Sequence, residues 1–184
     1  MNLKHHFLIA MPNLTGTYFG GTVTYLCEHS DDGAMGLIIN RPSELSVAEL
    51  CDQSELTVGS GQDLATVPVL EGGPVSSEQG FVLHSDDGHF TESAQLGHGL
   101  NLTTALGMLE AIAQGKGPYN YLVALGYAGW GSGQLEGELA ENAWLTCPAT
   151  LEILFDVPFE QRVQRAAATL GIDFSLISGQ AGHA

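Results

Sequence analysis

The stretch Leu122–Trp144, LVALGYAGWGSGQLEGELAENAW, decides how the rest of the chain is read. Together with Tyr121, its first residues to Leu125 are apolar and suited to a central strand. Gly126, Gly129, Gly131 and Gly133 then fall within eight residues, with Tyr127 and Trp130 between them. Glycine is favoured where φ must be positive or a backbone must approach something closely, so this segment predicts a purposeful loop. Gln134 to Asn142 follows with helical periodicity, Leu135 and Leu139 inward and Glu136, Glu138 and Glu141 outward. Ser132 stands where an N-cap would, and a helix starting there offers free N–H groups to a carboxylate or another small anion.

Outward from that stretch, strands and helices interleave. Phe7–Met11 reads as a short buried strand ended by Pro12, and Thr22–Cys27 as a second. Ser30-Asp31-Asp32-Gly33 is a hairpin turn leading to a strand at Met35–Asn40. Ser46 and Glu49 form a capping box, with Leu45 and Leu50 as its staple, so a helix runs from Val47 to Gln53. Ser54 to Thr66 is a polar loop, and Val67–Leu70 and Gly80–His84 are strands. A helix spans 104–114, with Gly115 and Pro118 at its end. Leu151–Phe155 reads as a strand, and Asp156 and Pro158 open a last helix burying Phe159, Val163, Ala167 and Leu170. No linker interrupts the series, so residues 1–184 form one domain of the α+β class, a mixed sheet with helices packed on it.

Charge narrows the function. Five Lys and Arg face 21 Asp and Glu, a formal net charge of −16. Direct nucleic-acid binding needs a cationic footprint, which this chain lacks, and anionic membranes repel it for the same reason. Cys27, Cys51 and Cys147 are odd in number and lack CxxC spacing, as expected of reduced thiols in a cytoplasm. The N-terminal apolar run of five residues, Phe7–Met11, is too short for a signal peptide or a membrane span.

Several residues are candidates for chemistry, each with a plainer alternative. His29-Ser30-Asp31-Asp32-Gly33 recurs as His84-Ser85-Asp86-Asp87-Gly88. His and Asp suit a divalent metal, but two favoured turns explain the repeat more simply, and no metal is assigned. His84 ends an apolar strand and is a potential acid–base group, with Glu136 as a potential partner. Asn40-Arg41-Pro42 places a lone Arg after a strand, able to clamp a carboxylate or to pair with one of the many acids. Tyr127 and Trp130 either cage a ligand or anchor the core beneath the glycines.

Taken in order, the motifs FLIAMP at 7–12, Glu28-His29, Gly33-Ala34-Met35-Gly36, Ile39-Asn40-Arg41-Pro42, Gly72-Gly73-Pro74-Val75, Gly80–His84 and GYAGWGSGQLE at 126–136 resemble the AlgH/YqgE family of bacterial proteins. The likeness runs over essentially the whole chain. It departs at Gly16-Thr17, where members often carry Asp-Pro, at Gly21, where many have Arg or Lys, and at Val163, where many have Trp. The resemblance implies a cytoplasmic protein built on a barrel-like mixed sheet flanked by helices. It brings no cofactor and no catalytic residue. Members are commonly labelled transcriptional regulators.

That label and the charge pull apart, since a DNA-binding domain with five scattered cations and no helix-turn-helix is unexpected. The leading expectation is a non-enzymatic module for a small ligand or a protein partner, acting indirectly and without nucleic acid, membrane, cofactor or metal. Its site would gather Asn40, Arg41, Gly72, Gly73, His84, Gly126, Tyr127, Gly129, Trp130, Gly131, Gly133, Gln134 and Glu136, and Trp130→Ala would test it. The alternatives are a hydrolase or acyl-transfer enzyme using His84 and Glu136, and a direct transcriptional regulator.

Overall fold

The computed structural model describes residues 1–178 apart from His89, Thr91 and Ala105. In chain order its elements are β1 (His6–Ala10), β2 (Val23–Ser30), β3 (Gly33–Ile38), β4 (Pro42–Ser46), α1 (Val47–Gln53), β5 (Pro68–Glu71), β6 (Val75–Ser85), β7 (Ser93–Gly97), β8 (Leu100–Thr103), α2 (Leu106–Ala113), β9 (Tyr121–Gly131), α3 (Gln134–Ala140), β10 (Trp144–Pro148), α4 (Leu151–Phe155), α5 (Arg162–Ala168) and α6 (Phe174–Ser178). The strands join in one sheet, in the order β10-β1-β2-β3-β9-β6-β8-β7, with β4 beside β5 and β5 beside β9. The β5–β9 pairing is parallel and the others are antiparallel, so the sheet is mixed.

The glycine–aromatic segment is therefore strand as far as Gly131, not a loop. Ala128 and Trp130 are buried while Gly129 and Gly131 face out, the period-two alternation of a strand. Gly33 to Gly36 of β3 pair alongside it, and that ladder overrides the low strand propensity of glycine. The first half of β9 lies between β5 and β6, and its second half pairs with β3. Gly126, at φ +75°, marks the crossing from one half to the other. Opposite it, β6 loses register between Val75 and Gly80, and such a bulge increases local twist. The sheet curls there into a half-barrel, and the fold is α+β as expected.

Alternation sorts the core into three layers. Phe7 and Ile9 join Tyr25, Leu37, Phe81, Leu83 and Ala124 on the inside of the curl, where Ile153 and Leu154 of α4 and Ala166 and Ala167 of α5 also pack. Leu8 and Leu26 point the other way, toward Ala128, Trp130, Leu135 of α3 and Trp144. On the other half-sheet, Val82 and Val123 face α1 and α2 through Val47, Cys51, Leu109 and Ile112.

Helix α1 has the expected limits and cap: the Ser46 hydroxyl accepts from the Glu49 N–H, and the Glu49 carboxylate from the Ser46 N–H. Three expectations fail. Leu151–Phe155 is a helix, N-capped by Thr150, whose hydroxyl accepts from the Ile153 N–H. The strand expected there lies earlier, as β10 against β1. The helix expected from Pro158 begins at Arg162, as α5, after a 3-10 turn; α6 follows it, and Leu170 is exposed beyond the end of α5.

Candidate functional site

Gly72, Gly73 and Gly126 come together, as expected, but backbone crosses backbone there. The Gly72 N–H donates to Leu125 O and the Ile38 N–H to Gly72 O, both at 2.8 Å, stitching the turn between β3 and β9. A Cβ on Gly72 would lie 2.3 Å from Gly126 O, one on Gly73 2.0 Å from the Tyr127 carbonyl carbon, and one on Gly126 2.4 Å from Gly73 O. These glycines are needed for packing, and no ligand is required to explain them.

Trp130 and Gln134 are also structural. Trp130 is buried, and its indole N–H donates to Glu138 Oε2 at 2.9 Å; the Trp144 indole reaches the same oxygen at 2.7 Å. Gln134 donates to the other Glu138 oxygen and accepts from the Gly131 N–H. The two indoles meet edge to face, with Phe19 against both. Ser132 is not the N-cap of α3. Gly133, in the left-handed region at φ +73°, holds that place, and the Ser132 hydroxyl donates to Asp31 O. The helix start expected at Ser132 is thus shifted by one residue, to Gly133.

His84 and Glu136 are not partners. His84 pairs with Tyr121 at one end of β9 and Glu136 follows the other, roughly 30 Å of extended strand away. His84 is fully buried, bonded to Ser85 O at 2.9 Å and to the Thr103 hydroxyl at 2.8 Å. Glu136 instead meets His29. The Leu3 N–H donates to His29 Nδ1, so Nε2 carries the ring proton and donates to Glu136 Oε1, both at 2.8 Å. With both nitrogens engaged, neutral His29 has no lone pair left to act as a base. A hydrolase working through His84 and Glu136 is left without its pair.

The hydrogen bond from His29 holds the Glu136 carboxyl below the usual Glu range. A depressed folded-state pKa adds stability above the ordinary carboxylate pKa and loses it as pH falls through the depressed value. Glu136→Gln is therefore expected to melt lower than the wild type at pH 7, with the gap closing on acidification. Melting curves across that range check it, and a gap that widens toward low pH would sink it.

Asn40 and Arg41 also serve the fold. Asn40 accepts from the Val23 N–H and donates to Gly21 O, bracing the start of β2. Arg41 lies over the Tyr18 ring at 4.9 Å and points to Gly20 O. The other cations are dispersed. Lys4 pairs with Glu28, Arg165 with Glu152, and Arg162 is buried. Among the described residues no three His, Cys, Asp or Glu converge as a metal site, and no helix is long and apolar enough to cross a membrane. All three cysteines are buried, and burial pushes each thiol up, away from nucleophilic character.

A groove of about 670 Å³ lies over the neighbouring parts of β3, β6 and β9. Tyr127 and Gly129 of β9, Met35 of β3, and Val75 and Phe81 of β6 line it, with Glu28, Asp32 and Gln79 also contributing. The Tyr127 and Phe81 rings pack edge to face, 5.7 Å apart. Of the expected site residues, Tyr127, Gly129 and Trp130 line this groove. Met35, Val75, Gln79 and Phe81 were missed. Read with period two, 127, 129 and 131 share one strand face, and that was the available signal.

The AlgH-like family model, DUF179, matches residues 7–175. A UPF0301 protein of Thioalkalivibrio sulfidiphilus is 51% identical over 183 residues, covering 100% of this chain and 97% of that protein. A UPF0301 protein of Stutzerimonas stutzeri is 52% identical over 182 residues, covering 99% and 96%. The solution structure of the AlgH protein from Pseudomonas aeruginosa superposes with a TM-score of 0.81 at 50% identity, covering 100% of this chain and 97% of that one. A crystal structure of a Corynebacterium diphtheriae protein shares the fold, with a TM-score of 0.69 at 20% identity over 89% of this chain and 86% of that one. By sequence over its whole length and by fold, the chain belongs to the AlgH-like family.

Proposed function

We propose that this chain is a non-catalytic binding module, which takes an apolar side chain of a partner protein into the groove over Tyr127 and Gly129. The groove itself carries the proposal: half-buried Met35, Val75 and Tyr127 lie over the buried Phe81 ring and beside the carboxylates of Glu28 and Asp32. Concave, largely preformed sites with a few placed polar groups are where ligands bind. The carboxylates favour a segment that pairs an aliphatic or aromatic residue with Lys or Arg. Any effect on transcription runs through that partner, since a net charge of −16 opposes contact with DNA. Three buried thiols and no disulfide fit a reducing compartment, the cytoplasm.

Trp130→Ala is a poor test because it removes a core side chain. Gly129→Leu is better. Gly129 is exposed, its φ is not positive, and an added Cβ would meet only the Tyr127 ring at 3.3 Å and Val75 at 3.9 Å. The added isobutyl group is expected to take up groove space beside Tyr127 and Val75. In an NMR titration with short peptides pairing Leu or Phe with Lys or Arg, the wild-type groove residues are expected to shift. Gly129→Leu should keep its fold and bind at least about tenfold more weakly. Equal affinity in the folded variant would rule the groove out.

A further inference from the structure

A second concavity, of about 620 Å³, lies at the far end of β6, away from the groove. Asp86, Asp87, Phe90, Ser93, Gln95 and Asn101 line it. Asn101 is 4% exposed and turns its amide NH2 to Asp86 Oδ1 at 2.9 Å. Its own Oδ1 is buried with no hydrogen-bond partner. Rotating the amide would set oxygen against carboxylate, so the orphan is the acceptor. A buried acceptor left unpaired is costly, and this one calls for a donor.

The neighbouring hydroxyls are arranged with the same polarity. Ser85 O can only accept, so His84 Nδ1 carries the proton of the neutral ring. His84 Nε2 then accepts from the Thr103 hydroxyl at 2.8 Å, which uses the one proton of Thr103. Thr103 Oγ1 in turn accepts from Ser93, 2.6 Å away, which uses the proton of Ser93. Ser93 is left with only lone pairs to offer the pocket. Asp87 Oδ2 takes the Ser85 hydroxyl and the Tyr119 N–H, so its other oxygen remains as a further acceptor. Acceptors and negative charge thus dominate the polar lining, beside the Phe90 ring, the Asn101 NH2 held by Asp86 and the exposed Gln95 amide.

We propose that this pocket binds the ammonium or guanidinium end of a small cationic amine, with Asn101 Oδ1 and Asp86 as its principal acceptors. Such groups present several N–H donors and positive charge, which a pocket of carboxylate, amide and hydroxyl acceptors complements. An anion is repelled by both carboxylates. A bare divalent ion fits less well, because no three His, Cys, Asp or Glu side chains converge among the described residues and the space exceeds an ion's needs.

Isothermal titration of the full chain with putrescine and with agmatine tests this, with 1,4-butanediol, MgCl2 and CaCl2 in parallel. One or both amines are expected to saturate a single site, weaken with added salt, and lose at least about tenfold in affinity in Asn101→Leu and in Asp86→Asn. The exposed Asp86→Asn keeps the test readable if Asn101→Leu fails to fold. Butanediol should give no saturable heat, and Gly129→Leu should bind the amines as the wild type does. Failure of both amines to saturate, wild-type affinity in Asp86→Asn, or saturation by Mg²⁺ or Ca²⁺ in place of the amines would overturn the proposal.

Discussion

Gly73→Ala is expected to destabilise the protein by about 4 kcal/mol, a large share of the roughly 5–15 kcal/mol that holds a domain folded. The added methyl would sit 2.0 Å from the Tyr127 carbonyl carbon and 2.3 Å from Ala128 N, both main-chain atoms in the middle of β9. A flexible side chain could swing aside, but β9 cannot, because it is bonded to β3, β5 and β6 along its length. Relief must come from shifting the Gly72-Gly73 turn, which breaks the bonds to Ile38 and Leu125. Gly137→Ala is the control. Gly137 lies inside α3 with open space around its Cβ direction, so the same methyl there is expected to stabilise by about 0.5–1 kcal/mol. Urea unfolding of both variants checks the contrast. A Gly73→Ala midpoint within error of the wild type would mean that the crossing is looser than these distances imply.

The same crossing shows what could be read from the sequence. Local signals with their own chemistry translated directly: the Ser46–Glu49 capping box gave α1 its exact span, and Asp31-Asp32-Gly33 gave the β2–β3 hairpin. Signals resting on composition did not. Glycines at 129 and 131 read as a loop because propensity disfavours glycine in strands, yet they stand opposite Met35 and Gly33 in a ladder. Leu151–Phe155 is short and apolar but for Glu152, and such a run does not distinguish a strand from a buried helix. The Thr150 cap was the signal that separated them.

Candidate site residues divide by the same logic. Gly72, Gly73 and Gly126 lie together, but what each glycine accommodates is another main chain, which sequence does not show. Trp130 divides its roles, lying 5% exposed in the core while bordering the groove. His84 was singled out as a strand-end imidazole, and its neighbours Thr103, Ser93 and Asn101 come from strands that sequence spacing cannot align. Pairings between distant segments set these contacts, and one sequence without its register does not contain them in readable form.

Arg162 carries the second large effect, and nothing in the sequence marked it. Its side chain is 3% exposed, with Nε donating to Val157 O at 2.9 Å and Nη1 to Ile39 O, 123 residues away in the chain. Its guanidinium lies 4.4 Å over the Phe159 ring. Burial pushes it down to about 10, so it is still charged at neutral pH, and no carboxylate pairs with it among the described residues. The fork therefore ties α5 to the end of β3 through carbonyl acceptors alone. Arg162→Met keeps the stem and removes the buried charge, but strands two carbonyls. Charge-assisted bonds of this kind contribute about 1.5–3 kcal/mol each, part of which is offset by relief from desolvation. A net loss of about 3 kcal/mol is expected. Arg162→Lys should do no better, because an ammonium keeps the desolvation cost and lacks the planar fork that reaches both oxygens. Chemical unfolding of the two variants separates the contributions. If Met matches the wild type while Lys is severely destabilised, the guanidinium is close to energetically neutral and serves to fix how α5 docks. If both fall together, the two hydrogen bonds themselves hold the C-terminal helix on the half-barrel.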